Sequence, residues 1–160
     1  KESNISNALL FLDQPLEIGG LQVNEDKILN LIKEYRTNKE FLVKLHPRTN
    51  AERYGDEFKI LKTDLPLELC FLAYDLRNTV IISCISTASF TPRMIFGLEN
   101  KIILLSELVR NDRELSTEDE RTQEILIGVS EFYERYQSIG YQNVLMPRNK
   151  KELKSLLRGE

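Results

Sequence analysis

Apolar residues in this chain follow two alternating patterns: short unbroken runs, and stretches in which they return every three or four positions. Runs of this length suit strands buried on both faces, and the longer spacing suits helices that bury one face. Ala8 to Leu12 is the first run, ended by Asp13-Gln14-Pro15. Asn24 can cap the next segment, where Ile28, Leu31, Ile32 and Tyr35 share one helical face. Phe41 to Leu45 reads as a second strand. Pro47 terminates it, because proline has no N–H to donate to a ladder and restricts the residue before it. Phe58 to Leu61 is a shorter strand, and a helix is predicted over Leu65 to Leu76 with Asp64 as its cap and Pro66 in its first turn.

Thr79 to Ile85 is rich in β-branched residues and has the pattern of a central parallel strand. It runs into Ser86-Thr87-Ala88-Ser89 and a helix reaching about Gly97. Lys101 to Leu105 is another strand, followed by a charged connection from Val109 to Glu120 that ends in Thr117-x-x-Glu120, the pattern of a capping box. A long helix with Ile125, Val129, Phe132, Tyr133 and Tyr136 on its apolar side is closed by Gly140. Val144 to Met146 is a last short strand, and Asn149-x-x-Glu152 caps a terminal helix to about Arg158.

Strands alternating with helices favour β-α-β units and a parallel sheet covered on both faces, so the predicted class is α/β, a Rossmann-like doubly wound parallel sheet. Ligands of such sheets bind outside the carboxyl ends of the strands, where the strand order reverses. Asp13-Gln14, His46 and Ser86-Thr87 all fall at such ends.

At 160 residues, 41% hydrophobic and 29% charged, the chain has the length and composition of one globular domain. Net charge is −3, which supplies no broad positive field for nucleic acid. Cys70 and Cys84 lie in apolar segments without metal-ligand spacing, so buried reduced thiols and a cytoplasmic setting are expected. The opening Lys-Glu-Ser-Asn is polar and no apolar run reaches membrane-spanning length. The absence of an initiator Met suggests a piece of a longer protein.

His46 is the only histidine, the side chain whose ordinary pKa lies nearest neutrality. It can be a solvated loop residue or a catalytic group; Arg48, two residues on, is expected to face water. Ser86, Thr87 and Ser89 are good helix caps and equally good phosphate ligands. Neither GxGxxG nor GxxxxGK[ST] occurs, so the usual dinucleotide and Walker sites are not expected. Glu68 near a helix start has a purely electrostatic explanation. One histidine and two cysteines do not suggest a metal site. Arg148, Lys150, Lys151, Lys154 and Arg158 beside Leu153, Leu156 and Leu157 form either an ordinary packed helix or a basic amphipathic one that holds a larger enzyme at the inner face of the membrane.

Phe11-Leu12-Asp13-Gln14-Pro15-Leu16, Lys44-Leu45-His46-Pro47-Arg48, Leu65-Pro66-Leu67-Glu68 and Ile85-Ser86-Thr87-Ala88-Ser89 occur in an order that resembles the donor-binding half of bacterial sialyltransferases. The similarity is greatest to the lipooligosaccharide and capsule sialyltransferases, glycosyltransferase family 52. Some members carry two serines where this chain has Ser86-Thr87. The resemblance implies the C-terminal half of a GT-B glycosyltransferase, with an N-terminal acceptor domain absent from this chain. It implies an inverting, metal-independent transfer from CMP-sialic acid to a glycan hydroxyl, with no cofactor besides that donor. His46 would act on the CMP phosphate as the catalytic group, with Ser86 and Thr87 holding the same phosphate and Glu68 the ribose. Asp13, Gln14, Pro47 and Ser89 would complete the donor site. The base that deprotonates the acceptor would lie in the absent domain or be Asp13, Glu25 or Asp26. Members associate as dimers, so a homodimer is among the implied partners. Two other readings stay open: a GT-B transferase using a CDP- or UDP-activated donor, and a noncatalytic α/β interaction domain.

Overall fold

The computed structural model describes residues 5–159; the polar opening Lys1 to Asn4 lies outside the described residues. Its centre is a six-stranded, wholly parallel sheet in the order β3-β2-β1-β4-β5-β6. The strands are β1 (Leu9–Leu12), β2 (Phe41–Lys44), β3 (Lys59–Ile60), β4 (Val80–Ser83), β5 (Ile102–Leu104) and β6 (Val144–Leu145). This is the α/β, Rossmann-like arrangement expected, and its order reverses between β1 and β4.

Successive side chains leave a strand on opposite faces, so a strand covered on both sides must be apolar at every position. Leu9 and Phe11 of β1 join Phe41, Val43, Val80 and Ile82 in one core, while Leu10 and Leu12 join Leu42, Ile81, Ile102 and Leu104 in the other. The first core is closed by Ile28, Leu29 and Ile32 of α1 (Glu25–Tyr35) and by Leu153 and Leu157 of α6 (Lys150–Arg158). The second is closed by Leu67 and Cys70 of α2 (Leu67–Ala73) and by Tyr133 and Tyr136 of α5 (Glu120–Ser138). Both cysteines are buried and free.

Several boundaries differ from the sequence reading. The helix predicted over Leu65 to Leu76 is the shorter α2, with Pro66 rather than Asp64 at its cap position and no side-chain cap bond. After β4 the chain first makes a 3-10 turn, Thr87–Phe90, and then the short helix α3 (Thr91–Phe96), which Gly97 ends in a left-handed conformation at φ 66°. A helix α4 (Ser106–Asn111), with Leu108 and Val109 buried, follows β5 and runs into the start of the stretch read as a charged connection from Val109. The Thr117 to Glu120 capping box does not form. Asp119 caps α5 by accepting from the Thr122 N–H at 2.9 Å, while the Thr117 hydroxyl donates to Gln22 Oε1 at 2.8 Å. The Asn149 to Glu152 box is present, with Asn149 Oδ1 accepting from the Glu152 N–H and Glu152 Oε2 from the Arg148 N–H.

The amphipathic α6 has the packed-helix form. Its Leu153 and Leu157 are buried in the core that α1 shares, Lys150 pairs with Asp112 and Glu114, and Lys154 lies over the Tyr35 ring. Its buried leucines are therefore spent on the fold. Among the described residues no helix is long and apolar enough to cross a membrane.

Ile81, fully buried between β1 and β5, tests this packing. Replacing it with alanine should cost about 2–5 kcal/mol in urea unfolding. The exposed Ile18 should tolerate the same change within about 0.5 kcal/mol.

Candidate functional site

Beyond the carboxyl ends of β1, β2 and β4 lies a cavity of about 250 Å³ whose lining includes Asp13, Lys44, His46, Pro47, Glu68 and Ser86. Its walls come from segments far apart in the chain: the exits of those strands and the 64–68 segment leading into α2. The sheet creates the convergence, since β1 is hydrogen-bonded to both β2 and β4.

Asp13 organises this rim. The carboxyl is almost wholly buried; its Oδ2 accepts from the His46 backbone N–H at 2.9 Å, and its Oδ1 accepts a short hydrogen bond from the Tyr54 hydroxyl. The Asp13 N–H in turn donates to the Lys44 carbonyl at 3.0 Å. One residue thereby fixes where β2 ends and where His46 begins. The imidazole is held from the other side, for Nδ1 accepts from the Arg48 backbone N–H at 3.1 Å. In the neutral ring that bond leaves the proton on Nε2, the nitrogen free to donate outward. Arg48 is itself exposed.

Glu68 lines the cavity with Oε1 accepting from the Thr91 hydroxyl at 3.4 Å. Ser86 occupies the cap position of the 3-10 turn, but its side chain makes no capping bond, which leaves the hydroxyl available to a ligand. The turn is a single one, so a helix dipole contributes little here and side-chain donors must carry any anion.

Other nominated residues are placed differently. Gln14 is absent from the cavity lining; its Oε1 accepts from the Ile85 N–H at 3.0 Å and ties the exits of β1 and β4 together. Thr87 is exposed and outside the lining. Ser89 is fully buried, its hydroxyl donating to the Ser86 carbonyl at 2.6 Å and lying 3.1 Å from the Tyr133 hydroxyl. Tyr133 also donates to that carbonyl, at 2.9 Å. Gln14 and Ser89 thus support the site from behind.

Sequence reasoning missed Tyr54 and Arg53, which lie in a 3-10 turn, Ala51–Tyr54, that looks like a polar loop in the sequence. Arg53 pairs with Glu25 at 3.0 Å, and the Tyr54 hydroxyl is 3.5 Å from Glu25 Oε1. Burial pushes the Glu25 carboxyl up to about 7; Arg53 opposes the rise and Asp13 adds to it. The Tyr54 hydroxyl is also held above its ordinary range, first by burial and then by Glu25. Glu25, Asp26 and Arg53 line a second, larger cavity of about 710 Å³. It opens beside core residues Leu21, Val23 and Leu115 of one sheet face, whereas the smaller cavity adjoins Leu12 and Leu67 of the other.

Comparison with protein-family models, with curated proteins and with solved structures finds no match to this chain.

The Glu25 shift has a sign that stability measurements can check. Its folded pKa of about 7 lies above the ordinary 4.5, so the folded state holds this proton more tightly. The associated stability is fully present below pH 4.5 and is lost as pH rises through 7. Urea unfolding at pH 5 and pH 8 should show a loss of up to about 3 kcal/mol from this group, and Glu25→Gln should remove most of that pH dependence.

Proposed function

We propose that the chain is the donor-binding domain of a GT-B sialyltransferase, which transfers sialic acid from CMP-sialic acid to a glycan hydroxyl in lipooligosaccharide or capsule synthesis. The observation that supports this reading is the meeting of His46, Pro47, Glu68 and Ser86 in one cavity at the reversal of strand order. With Asp13 these are five of the eight residues the resemblance nominates, drawn from separate segments of the chain, while Gln14, Thr87 and Ser89 lie outside the cavity lining.

The arrangement suits the departure of a nucleotide. As the bond from the sugar to CMP breaks, positive charge grows on the sugar and negative charge on the phosphate oxygen. Preorganised donors aimed at that oxygen lower the barrier, and removal of one such donor typically costs about 100- to 1,000-fold in rate. His46 Nε2 and the Ser86 hydroxyl are those donors, with the imidazole able to deliver a proton to the leaving phosphate. Glu68 presents carboxylate oxygens that accept from the ribose hydroxyls. At about 250 Å³ the cavity is smaller than the roughly 300–1,000 Å³ usual for whole ligand sites. In this reading it takes the nucleotide, and the sugar extends beyond it.

Of the carboxylates considered for the acceptor proton, Asp13 is committed to His46 and Tyr54. Glu25 opens onto the larger cavity and titrates near neutrality, which suits a general base. We propose Glu25 or the exposed Asp26 for that role, since Arg53 pairs with both carboxylates.

CMP should raise the melting temperature of the chain, and His46→Ala or Ser86→Ala should weaken the effect without unfolding the protein. UDP should do less than CMP. No shift at millimolar CMP, in protein shown to be folded by circular dichroism, would overturn the assignment and favour an interaction domain.

A further inference from the structure

Lys44 is the last residue of β2, and the strand's alternation sends its side chain to the same face as Leu42, beneath α2. The residue is only 9% exposed. Its Nζ donates to the Leu45 carbonyl at 3.2 Å, and none of the ion pairs among the described residues includes it. An ammonium has three N–H donors and accepts nothing, so one carbonyl leaves it under-satisfied. Burying a cation without a counter-charge is costly, and natural proteins seldom retain one unless something else compensates. Burial raises the Cys70 thiol and the Lys44 charge pulls it back, which places that charge close to α2. Lys44 also lines the small cavity, so a ligand there can reach it. Asp13, Asp64 and Glu68 share the cavity, and none of them forms an ion pair with Lys44.

We propose that Lys44 is an anion-binding residue at the floor of this cavity, and that its buried ammonium receives a phosphate oxygen of the bound nucleotide. The ligand supplies the direct ionic contact that none of the cavity's own carboxylates makes with Lys44. This rests on the nucleotide reading for the identity of the ligand, while the need for an anion comes from Lys44 alone. Its positive charge would also offset the charge that grows on the departing phosphate, beside the donors on His46 and Ser86.

The test is isothermal titration of the whole chain with CMP, cytidine and inorganic phosphate, in the wild type, Lys44→Met and Lys44→Arg. Lys44→Met should weaken CMP binding about 10- to 100-fold and abolish phosphate binding, yet leave cytidine binding unchanged. Lys44→Arg should restore part of the CMP affinity. Because the methionine removes an uncompensated buried charge, the ligand-free variant should melt at or above the wild-type temperature. A merely structural lysine would give the opposite result: a lower melting temperature and CMP affinity unchanged in the folded fraction. That result overturns the proposal, as does an equal loss for cytidine and CMP, which would place Lys44 on the nucleoside. Phosphate binding that depends on Lys44, without any binding of cytidine or CMP, would support the anion site and defeat the nucleotide reading. Absence of binding by all three ligands would overturn both.

Discussion

The rim of the sheet depends on one buried carboxyl. Asp13 receives the backbone N–H of His46 on one oxygen and the Tyr54 hydroxyl on the other, while its own N–H reaches the Lys44 carbonyl. Parallel strands end without a hairpin to define their relation, so beyond the last ladder bond the chains would separate freely. Asp13 extends the pairing of β1 and β2 past the strands and turns a frayed edge into a defined surface. Gln14 does the same between β1 and β4 through the Ile85 N–H. Adjacent residues of one loop thus position both flanks of the cavity.

This bonding also separates two cavities. One face of the sheet carries a small cavity where Lys44, His46 and Ser86 can donate and Asp13, Asp64 and Glu68 can accept. The other carries a larger one where Arg53 is paired with Glu25 and Asp26. Between them stands the contact of Tyr54 with Asp13 and Glu25.

The sheet was legible because every central strand is apolar at successive positions, which only burial on both faces explains. The rim was less so. The helix α4 starts at Ser106, directly after β5, with Leu105 at its cap position and no side-chain cap bond, so no punctuation marked it. Thr117 and Asp119 are both acceptable caps, and the choice between them depended on Gln22, a residue distant in sequence. Ser89 resembled its neighbours in the sequence, but the Tyr133 hydroxyl on α5 fixes it facing inward. Lys44 escaped notice because a lysine at a strand end ordinarily reaches water, and only the cover of α2 removes that route. What lay within one segment could be read; what depended on two could not.

The ties at the rim also set unequal limits on how this protein can change through descent. An isoleucine in β4 can give way to valine or leucine and still fill its place, since the core asks only for shape and apolarity. Asp13 accepts from the His46 N–H and the Tyr54 hydroxyl on separate oxygens, and no neutral residue of its size offers two such acceptors; Gln14 answers to the Ile85 N–H. A fold held in this way tolerates exchange along its strands more readily than just past the strand ends. Kinship among such proteins is best sought at those ends, in the residues and their order.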